Sequence, residues 1–262
     1  MRAVNLLNKA PGILGLSAVL ILAGCNGTLG DSTTSTTTDQ SATGYWSGTD
    51  SVSGLTITGL INAAGQANFI RGDGVQFTGI VQVSGSALAA EVDGFSNFAG
   101  STFSDGSTYG VGTLNGTVTS GDSITASLSF TTSDGTDITG SWSLTFQSIS
   151  NNASSTSAIM GTYTDTVTGG VLSINSGGAM SEPTIDSCVL SGSVSTNDTT
   201  HDLYEVSYSY AGCTGAYLVL NGVQFTGLAS LNPGQSPALV IAVTGDSTSN
   251  VHYGVVSTLN SN

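Results

Sequence analysis

The chain has 262 residues, of which 17 are acidic and only 3 are lysine or arginine. Arg2 and Lys9 lie at the N-terminus and all the acidic residues follow residue 24, so from residue 25 onward Arg71 alone faces 17 carboxylates, a formal net charge of −16. A surface of this kind offers no basic patch, which excludes binding along a nucleic-acid backbone and electrostatic docking to anionic lipid.

The first 24 residues have the layout of a secretory signal. A basic start is followed by the apolar stretch 13–23, which is too short to span a membrane, and small residues precede Cys25. The alternative interpretation is an uncleaved signal anchor with a chance cysteine.

The segment Leu22-Ala23-Gly24-Cys25 resembles the lipobox of bacterial lipoproteins, in which a diacylglyceryl group is attached to the cysteine that becomes the first mature residue. The resemblance implies removal of residues 1–24 and acylation of Cys25. Several acyl chains, such as palmitate, hold a protein firmly at a bilayer surface, because each buried methylene adds about 0.8 kcal/mol. Asn26 implies, by the sorting rule of the enterobacterial lipoproteins, an outer-membrane location in the cell envelope.

Composition divides the rest of the chain into four parts. Residues 25–43 are rich in Gly, Ser, Thr and Asp and predict a disordered tether, and residues 44–147 form a first domain. Residues 148–160 are polar and predict a linker, and residues 161–262 form a second domain of similar size.

Alternation of apolar and polar residues predicts β-strands in both domains. Residues 124–131 alternate without a break, and a second alternating run at 138–146 follows Asp134-Gly135, a favoured hairpin turn. In the second half Tyr204, Tyr208 and Tyr210 share one face, which favours a place in the core. With about eight short strands in each half, the pattern predicts an all-β protein of two tandem antiparallel meanders, each closed as a small barrel or packed as a sandwich.

The two halves resemble divergent repeats. Their starts, at Gly44 and Gly161, differ by 117 positions, and the strand segments 77–81 and 190–194 differ by 113. A stronger match, Gly-Val-Gln-Phe-Thr-Gly at 74–79 and 222–227, is displaced by 148 and therefore indicates recurrent turn-and-strand chemistry rather than the same repeat position.

The start Gly44-Tyr45-Trp46 resembles the first strand of lipocalin and avidin-like barrels, which opens with Gly-x-Trp. That resemblance implies a barrel with an apolar ligand cavity. No basic residue follows Arg71, whereas lipocalins place one late in the chain over the tryptophan. The whole chain also resembles acidic bacterial lipoproteins with two small β-domains.

Cys188 and Cys213 are the only cysteines left for an intrachain bond once Cys25 is acylated. They lie symmetrically about the turn-like run 195–202, so they would face each other across a hairpin. We therefore predict a disulfide, which is expected in an oxidising compartment. Two unpaired thiols are the alternative.

The sequence offers few groups for catalysis. The histidines are His201 and His252, no Gly-x-Ser-x-Gly elbow occurs beyond the leader, and a zinc site lacks further ligands. The acidic pair Glu91 and Asp93 is typical of a solvated strand face, and Arg71-Gly72-Asp73, although it spells an integrin-binding tripeptide, is typical of a turn. We predict no enzyme activity, no catalytic residues, no metal and no cofactor.

The resulting hypothesis is a membrane-anchored envelope lipoprotein that acts as a non-catalytic binding or surface-interaction module. One alternative is an inhibitor whose acidic surface blocks a cationic enzyme such as a lysozyme. Another is a lipocalin-like carrier of a small apolar ligand, and an enzyme ranks last.

Overall fold

The computed structural model describes residues 38–98, 102–185, 188–196, 198–232, 235–236, 238–246 and 252–262, with only the backbone described for 183–185. The predicted signal, Cys25 and most of the predicted tether lie outside these residues. Of the residues that are described, none belongs to a helix long and apolar enough to cross a membrane.

The first half of the chain folds into a closed antiparallel barrel. Its strands are β1 (Gly44–Asp50), β2 (Thr56–Ile61), β3 (Gln66–Arg71), β4 (Gln76–Ile80), β5 (Gln82–Ser84), β6 (Ala87–Phe95), β7 (Tyr109–Thr119), β8 (Ser123–Thr132) and β9 (Asp137–Phe146). Neighbours along the chain pair in order, and β1 pairs with β9. The long strand β6 pairs with β5 through its first half and with β4 through its second half, which closes the ring.

The second half closes in the same way. Its strands are β10 (Gly161–Asp165), β11 (Val171–Ile174), β12 (Ala179–Ile185), β13 (Cys188–Ser195), β14 (Tyr204–Ala211), β15 (Gln224–Leu231), β16 (Leu239–Asp246) and β17 (His252–Ser261). Short 3-10 helices span Ser148–Asn151 and Gly215–Leu220. The prediction of two tandem all-β units of about eight strands is confirmed: the first has nine, because β4 and β5 both pair with β6, and the second has eight. Both are barrels rather than sandwiches.

The registers of the two barrels correspond strand for strand. Gly44 pairs with Ile61 in the first barrel, and Gly161 pairs with Ile174 in the second. The buried Trp46 donates a hydrogen bond from Nε1 to the carbonyl oxygen of Ala42 (2.8 Å), four residues earlier. In the same way, the Tyr163 hydroxyl donates to the carbonyl oxygen four residues before it (2.9 Å). Tyr163 therefore occupies the position of the barrel tryptophan.

The hexapeptide repeated at 74–79 and 222–227 does not share a position in this correspondence. Its first copy enters β4, the fourth strand of the first barrel, and its second copy enters β15, the sixth strand of the second. The interpretation as recurrent turn-and-strand chemistry is therefore consistent with the fold.

The outer walls of the barrels pack against each other. Leu60 on β2 and Ile70 on β3 form an apolar cluster with Leu228, Val240 and Ala242 on β15 and β16. Gln76 Nε2, fully buried, donates to the carbonyl oxygen of a β16 residue at 3.1 Å. The barrels thus have separate interiors but share an interface.

The segment predicted as a linker, residues 148–160, packs against both barrels, and Ser150 Oγ accepts a hydrogen bond from the Tyr45 amide of β1 at 3.0 Å. Ser150, Ser154 and Ile159 are buried, and the carbonyl oxygen of Ser150 accepts a hydrogen bond from the Asp202 amide at 3.1 Å. The polar composition that suggested a free linker instead supplies hydrogen bonds to a docked connection. Independent folding of the two domains stays a prediction.

Candidate functional site

The interior of the second barrel contains a cavity of about 130 Å³ that opens at the end of the barrel carrying the β10–β11 turn. Its wall is mostly apolar, with two carboxyl groups and three phenol rings among the lining residues. The residues that line it include Asp165, Glu182, Leu190, Tyr208, Tyr210 and Phe98.

Asp165 reaches the cavity because it ends β10 and begins a tight turn. Its Oδ1 atom accepts hydrogen bonds from the amides of Val167 (2.9 Å) and Thr168 (2.8 Å), and Gly169 completes the turn with φ of 72°. A positive φ of this size favours glycine. The side chain of Asp165 is held at the cavity wall by these bonds and is only 7% exposed.

Glu182 points into the cavity from β12 and is 5% exposed. No hydrogen-bond donor among the described residues contacts its carboxyl group. Burial raises the pKa of Glu182 to about 7, and the negative charge of Asp165 adds to this shift. Among the described residues, no lysine or arginine lines the cavity beside the two carboxyl groups.

Aromatic rings form one side of the cavity. The rings of Tyr208 and Phe225 stack with centroids 5.4 Å apart, and Tyr210 meets Tyr208 edge to face at 5.4 Å. Burial raises the pKa of Tyr210 to about 12, and the charges of Glu182 and Asp165 contribute. These phenols remain neutral at physiological pH and supply π faces and hydroxyl groups to the cavity.

The mouth of the cavity is built by both barrels. Phe98 belongs to the first half of the chain, shortly after β6 ends at Phe95. Its amide nevertheless donates to the carbonyl oxygen of Gly254 on β17 at 2.9 Å. Its ring lies 5.5 Å from the rings of Tyr217 and Tyr253, centroid to centroid. The first barrel therefore places an aromatic side chain at the entrance to the second.

The predicted disulfide also lies at this mouth. Cys188 and Cys213 are bonded, with an S–S distance of 2.10 Å, and Cys188 lines the cavity. The bond joins the start of β13 to the segment after β14, as their symmetry about the hairpin predicts. It ties together two wall segments beside the opening.

The corresponding positions of the first barrel hold aromatic rings. Phe69 pairs with Phe77 across β3 and β4, and Glu182 pairs with Leu190 across β12 and β13, with residue numbers 113 apart in both cases. Phe77 packs edge to face against Phe130 with centroids 5.3 Å apart. The space beside Glu182 and Leu190 in the second barrel is therefore occupied by rings at the corresponding place in the first.

A recess of about 220 Å³ lies at the equivalent end of the first barrel, and Asp50 is part of its wall. Asp50 corresponds to Asp165, but here both carboxylate oxygens are used. Oδ1 accepts from the amide of Ser141 at 2.8 Å and Oδ2 from the hydroxyl of Ser53 at 2.7 Å. Burial alone would raise the pKa of Asp50, but these hydrogen bonds outweigh it and lower the pKa.

Comparisons of this chain with protein-family models, with curated proteins and with solved structures return no significant match.

The histidines do not line the cavity. His201 pairs through Nδ1 with Asp198, and His252 pairs with Asp246 at 2.7 Å while stacking on the ring of Tyr109 at 3.7 Å. Within the described part of the chain, no group of three or more His, Cys, Asp or Glu side chains is arranged to hold a metal ion.

The Arg71-Gly72-Asp73 tripeptide forms a turn whose charges bind each other. Arg71 donates to both carboxylate oxygens of Asp73, from Nε at 2.9 Å and from Nη2 at 2.8 Å, and its side chain is 13% exposed. Glu91 and Asp93 lie on an exposed strand face, where Asp93 accepts a hydrogen bond from the Tyr109 hydroxyl at 2.6 Å.

Sequence reasoning missed both cavity carboxylates. A signal for Asp165 was present, because Thr-Asp-Ser-Val-Ser-Gly at 49–54 recurs as Thr-Asp-Thr-Val-Thr-Gly at 164–169 and both copies form the same turn. Glu182 shares its strand face with Met180, a buried residue, and that alternation could have marked it as an acid facing the interior.

Proposed function

We propose that the protein is a lipid-anchored, non-catalytic binding module of the bacterial cell envelope, and that its second barrel binds one small molecule with an apolar body. The observation that carries the proposal is the cavity of about 130 Å³ inside that barrel. An engineered apolar cavity of about 150 Å³ binds benzene, so a space of this size accommodates about one ring.

The construction of the wall supports specific binding. Leu172, Leu190 and Ile241 offer apolar surface, while a few polar groups converge from Asp165 and Glu182. A mostly apolar pocket with a small number of placed polar groups is typical of a ligand site. The disulfide and Phe98 fix the wall at the opening, which lowers the cost of ordering it on binding.

Two carboxyl groups that face one cavity also occur in glycosidases. The volume of the cavity favours binding over such chemistry. Hydrolysis of a glycosidic bond needs a sugar ring on one side of the bond and a leaving group on the other, and a cavity of about 130 Å³ accommodates about one ring.

The anchor is supported by the lipobox at Cys25, and the Cys25→Ala variant tests it. Without the thiol no acyl chain can be attached, so the variant is expected in the soluble fraction or as the unprocessed precursor after detergent partitioning of cells. Normal processing together with unchanged membrane association would contradict the proposal. Val52→Leu, at an exposed turn residue of the first barrel, is the control, because it leaves the signal and Cys25 unchanged.

Ligand binding is tested by filling the cavity. Leu190→Phe copies Phe77, the residue at the same register position of the first barrel, and brings a ring into the open space. We expect single-ring compounds to bind the purified protein with 1:1 stoichiometry by calorimetry, and we expect the variant to lose at least tenfold in affinity while keeping its circular dichroism spectrum.

Two results would count against the proposal. One is the absence of saturable binding by single-ring compounds of positive, neutral and negative charge up to millimolar concentration. The other is binding that Leu190→Phe leaves unchanged, since the ligand would then lie elsewhere. Val189→Phe, at the exposed neighbour on β13, provides the matched control and should bind normally.

A further inference from the structure

The charge inside the second barrel is not balanced by the described residues. Asp165 and Glu182 lie close enough for the charge of Asp165 to raise the pKa of Glu182. The basic side chain among the described residues, that of Arg71, belongs to the first barrel and is bound to Asp73. Burying a carboxylate without a partner is costly, so a buried pair of this kind favours a bound positive charge.

The hydrogen-bond geometry of the two carboxyl groups also favours a bound cation. Asp165 accepts its two turn hydrogen bonds through Oδ1, and among the described residues no donor reaches its Oδ2 atom. Glu182, 5% exposed, contacts no described donor at all. Acceptors of this kind, aimed into a cavity, fit a ligand that brings several N–H donors.

The aromatic wall also favours a cation. Tyr208, Tyr210, Tyr217 and Phe98 line the same cavity as the two carboxyl groups. The face of an aromatic ring attracts a cation and also packs against an apolar body. A ligand with one ammonium group and a ring-sized apolar part would satisfy the carboxylates and the rings together.

We propose that the cavity of the second barrel selects a small organic amine, protonated and with an apolar body about the size of one aromatic ring. This inference rests on the proposed binding function and adds the class of ligand to it. An anion of the same size would meet two carboxyl groups, and a neutral molecule would leave their charge unpaired.

Binding of a cation must be linked to the protonation of Glu182. The groups that face this carboxyl among the described residues are Asp165 from β10, Tyr208 and Tyr210 from β14, and Tyr217 from the 3-10 helix. Because the pKa of Glu182 lies near 7, a cation binds best to the ionised form and displaces its proton. Affinity for an amine should therefore rise between pH 6 and pH 8.

The test uses three probes of nearly equal shape: phenethylamine, 2-phenylethanol and phenylacetate, which are positive, neutral and negative at pH 8. We expect calorimetry at pH 8 to give phenethylamine an affinity at least tenfold higher than 2-phenylethanol, and phenylacetate the weakest binding. The affinity for phenethylamine should rise severalfold from pH 6 to pH 8, whereas that for 2-phenylethanol should not.

Two substitutions with matched controls locate the effect. Glu182→Gln should remove the preference for the amine and its pH dependence, whereas Glu91→Gln, on the exposed face of β6, should change neither. Asp165→Asn should weaken amine binding, whereas Asp50→Asn, in the equivalent turn of the first barrel, should not. The pH dependence of the wild-type protein provides a readout that needs no variant to fold.

The outcomes separate the two proposals. If 2-phenylethanol or phenylacetate binds as well as phenethylamine, or if Glu182→Gln keeps the preference, the amine assignment is wrong and the binding function stands. If none of the three probes binds, the binding function itself fails and the amine assignment fails with it.

Discussion

The third and fourth strands of the first barrel place Phe69 opposite Phe77, whereas the same positions of the second barrel hold Glu182 and Leu190. The backbone registers agree around these pairs, so the difference lies in the side chains. Aromatic rings occupy this part of the first interior, whereas Glu182 and the smaller Leu190 border a cavity in the second. Closing a barrel therefore does not determine whether it is filled.

Glycines show how the first barrel makes room for its rings. A Cβ atom on Gly94 would lie 2.4 Å from Cζ of Phe130, so a larger residue at this position would displace the ring. The corresponding position of the second barrel holds Tyr210, as the pairing of Gly94 with Phe77 and of Tyr210 with Leu190 shows. The second barrel therefore carries an aromatic ring on β14 at a position where the first barrel has a glycine on β6.

The largest expected effect is the loss of stability when a large side chain is removed from the interior of either barrel. Phe130, 1% exposed, packs among other rings, so Phe130→Ala should lower the free energy of unfolding by about 3–5 kcal/mol. Leu190→Ala should cost less, about 2 kcal/mol, because Leu190 already borders a cavity. Urea unfolding of both variants measures the difference. Equal losses would mean that the two interiors are packed equally well.

The next largest effect is a fall in the stability of the folded state as the pH rises. In the folded protein the pKa of Glu182 is raised from 4.5 to about 7, so the folded state holds this proton more tightly than the unfolded state. The resulting stability is present below pH 4.5 and is lost as the pH rises to about 7. Since one pKa unit corresponds to about 1.4 kcal/mol, the loss should reach about 3 kcal/mol.

Thermal unfolding from pH 4.5 to pH 8 measures this loss. Glu182→Gln should remove most of the decline, and the remainder should come from Asp202, whose pKa burial raises to about 6. The acids whose pKa values are lowered, Asp50, Asp73, Asp105 and Asp198, act below pH 4, outside this range. A wild-type stability that rises from pH 4.5 to pH 7 would refute the assignment.

The smallest effect tests the equivalence of the barrel starts. Tyr163→Phe removes the hydroxyl that binds the carbonyl oxygen of Ile159, so it should cost about 1 kcal/mol. Trp46→Phe removes the same kind of hydrogen bond together with ring volume and should cost more. Tyr109→Phe, which loses a surface bond to Asp93, is the control and should change stability least. A cost for Tyr163→Phe no greater than for Tyr109→Phe would contradict the equivalence.

Much of the fold could be predicted from local patterns. Alternation in 124–131 and 138–146 and the Asp134-Gly135 turn predict β8, β9 and their hairpin, because period-two burial and turn chemistry act between near neighbours. The disulfide followed from the symmetry of Cys188 and Cys213 about another hairpin. The buried, hydrogen-bonded connection at 148–160 was missed, since its partners come from a distant part of the chain.

The amino-acid sequence by itself determined the all-β class, the two repeats of about eight strands, the disulfide and the acidic charge, because these depend on alternation, turn residues, cysteine placement and composition. Only the tertiary structure decided that Asp165 and Glu182, which two turns and the strand β11 separate along the chain, line one cavity inside the second barrel. Where each interior stays open depends on the summed volume of the side chains from all the strands around it. No local pattern in the sequence determines that total volume.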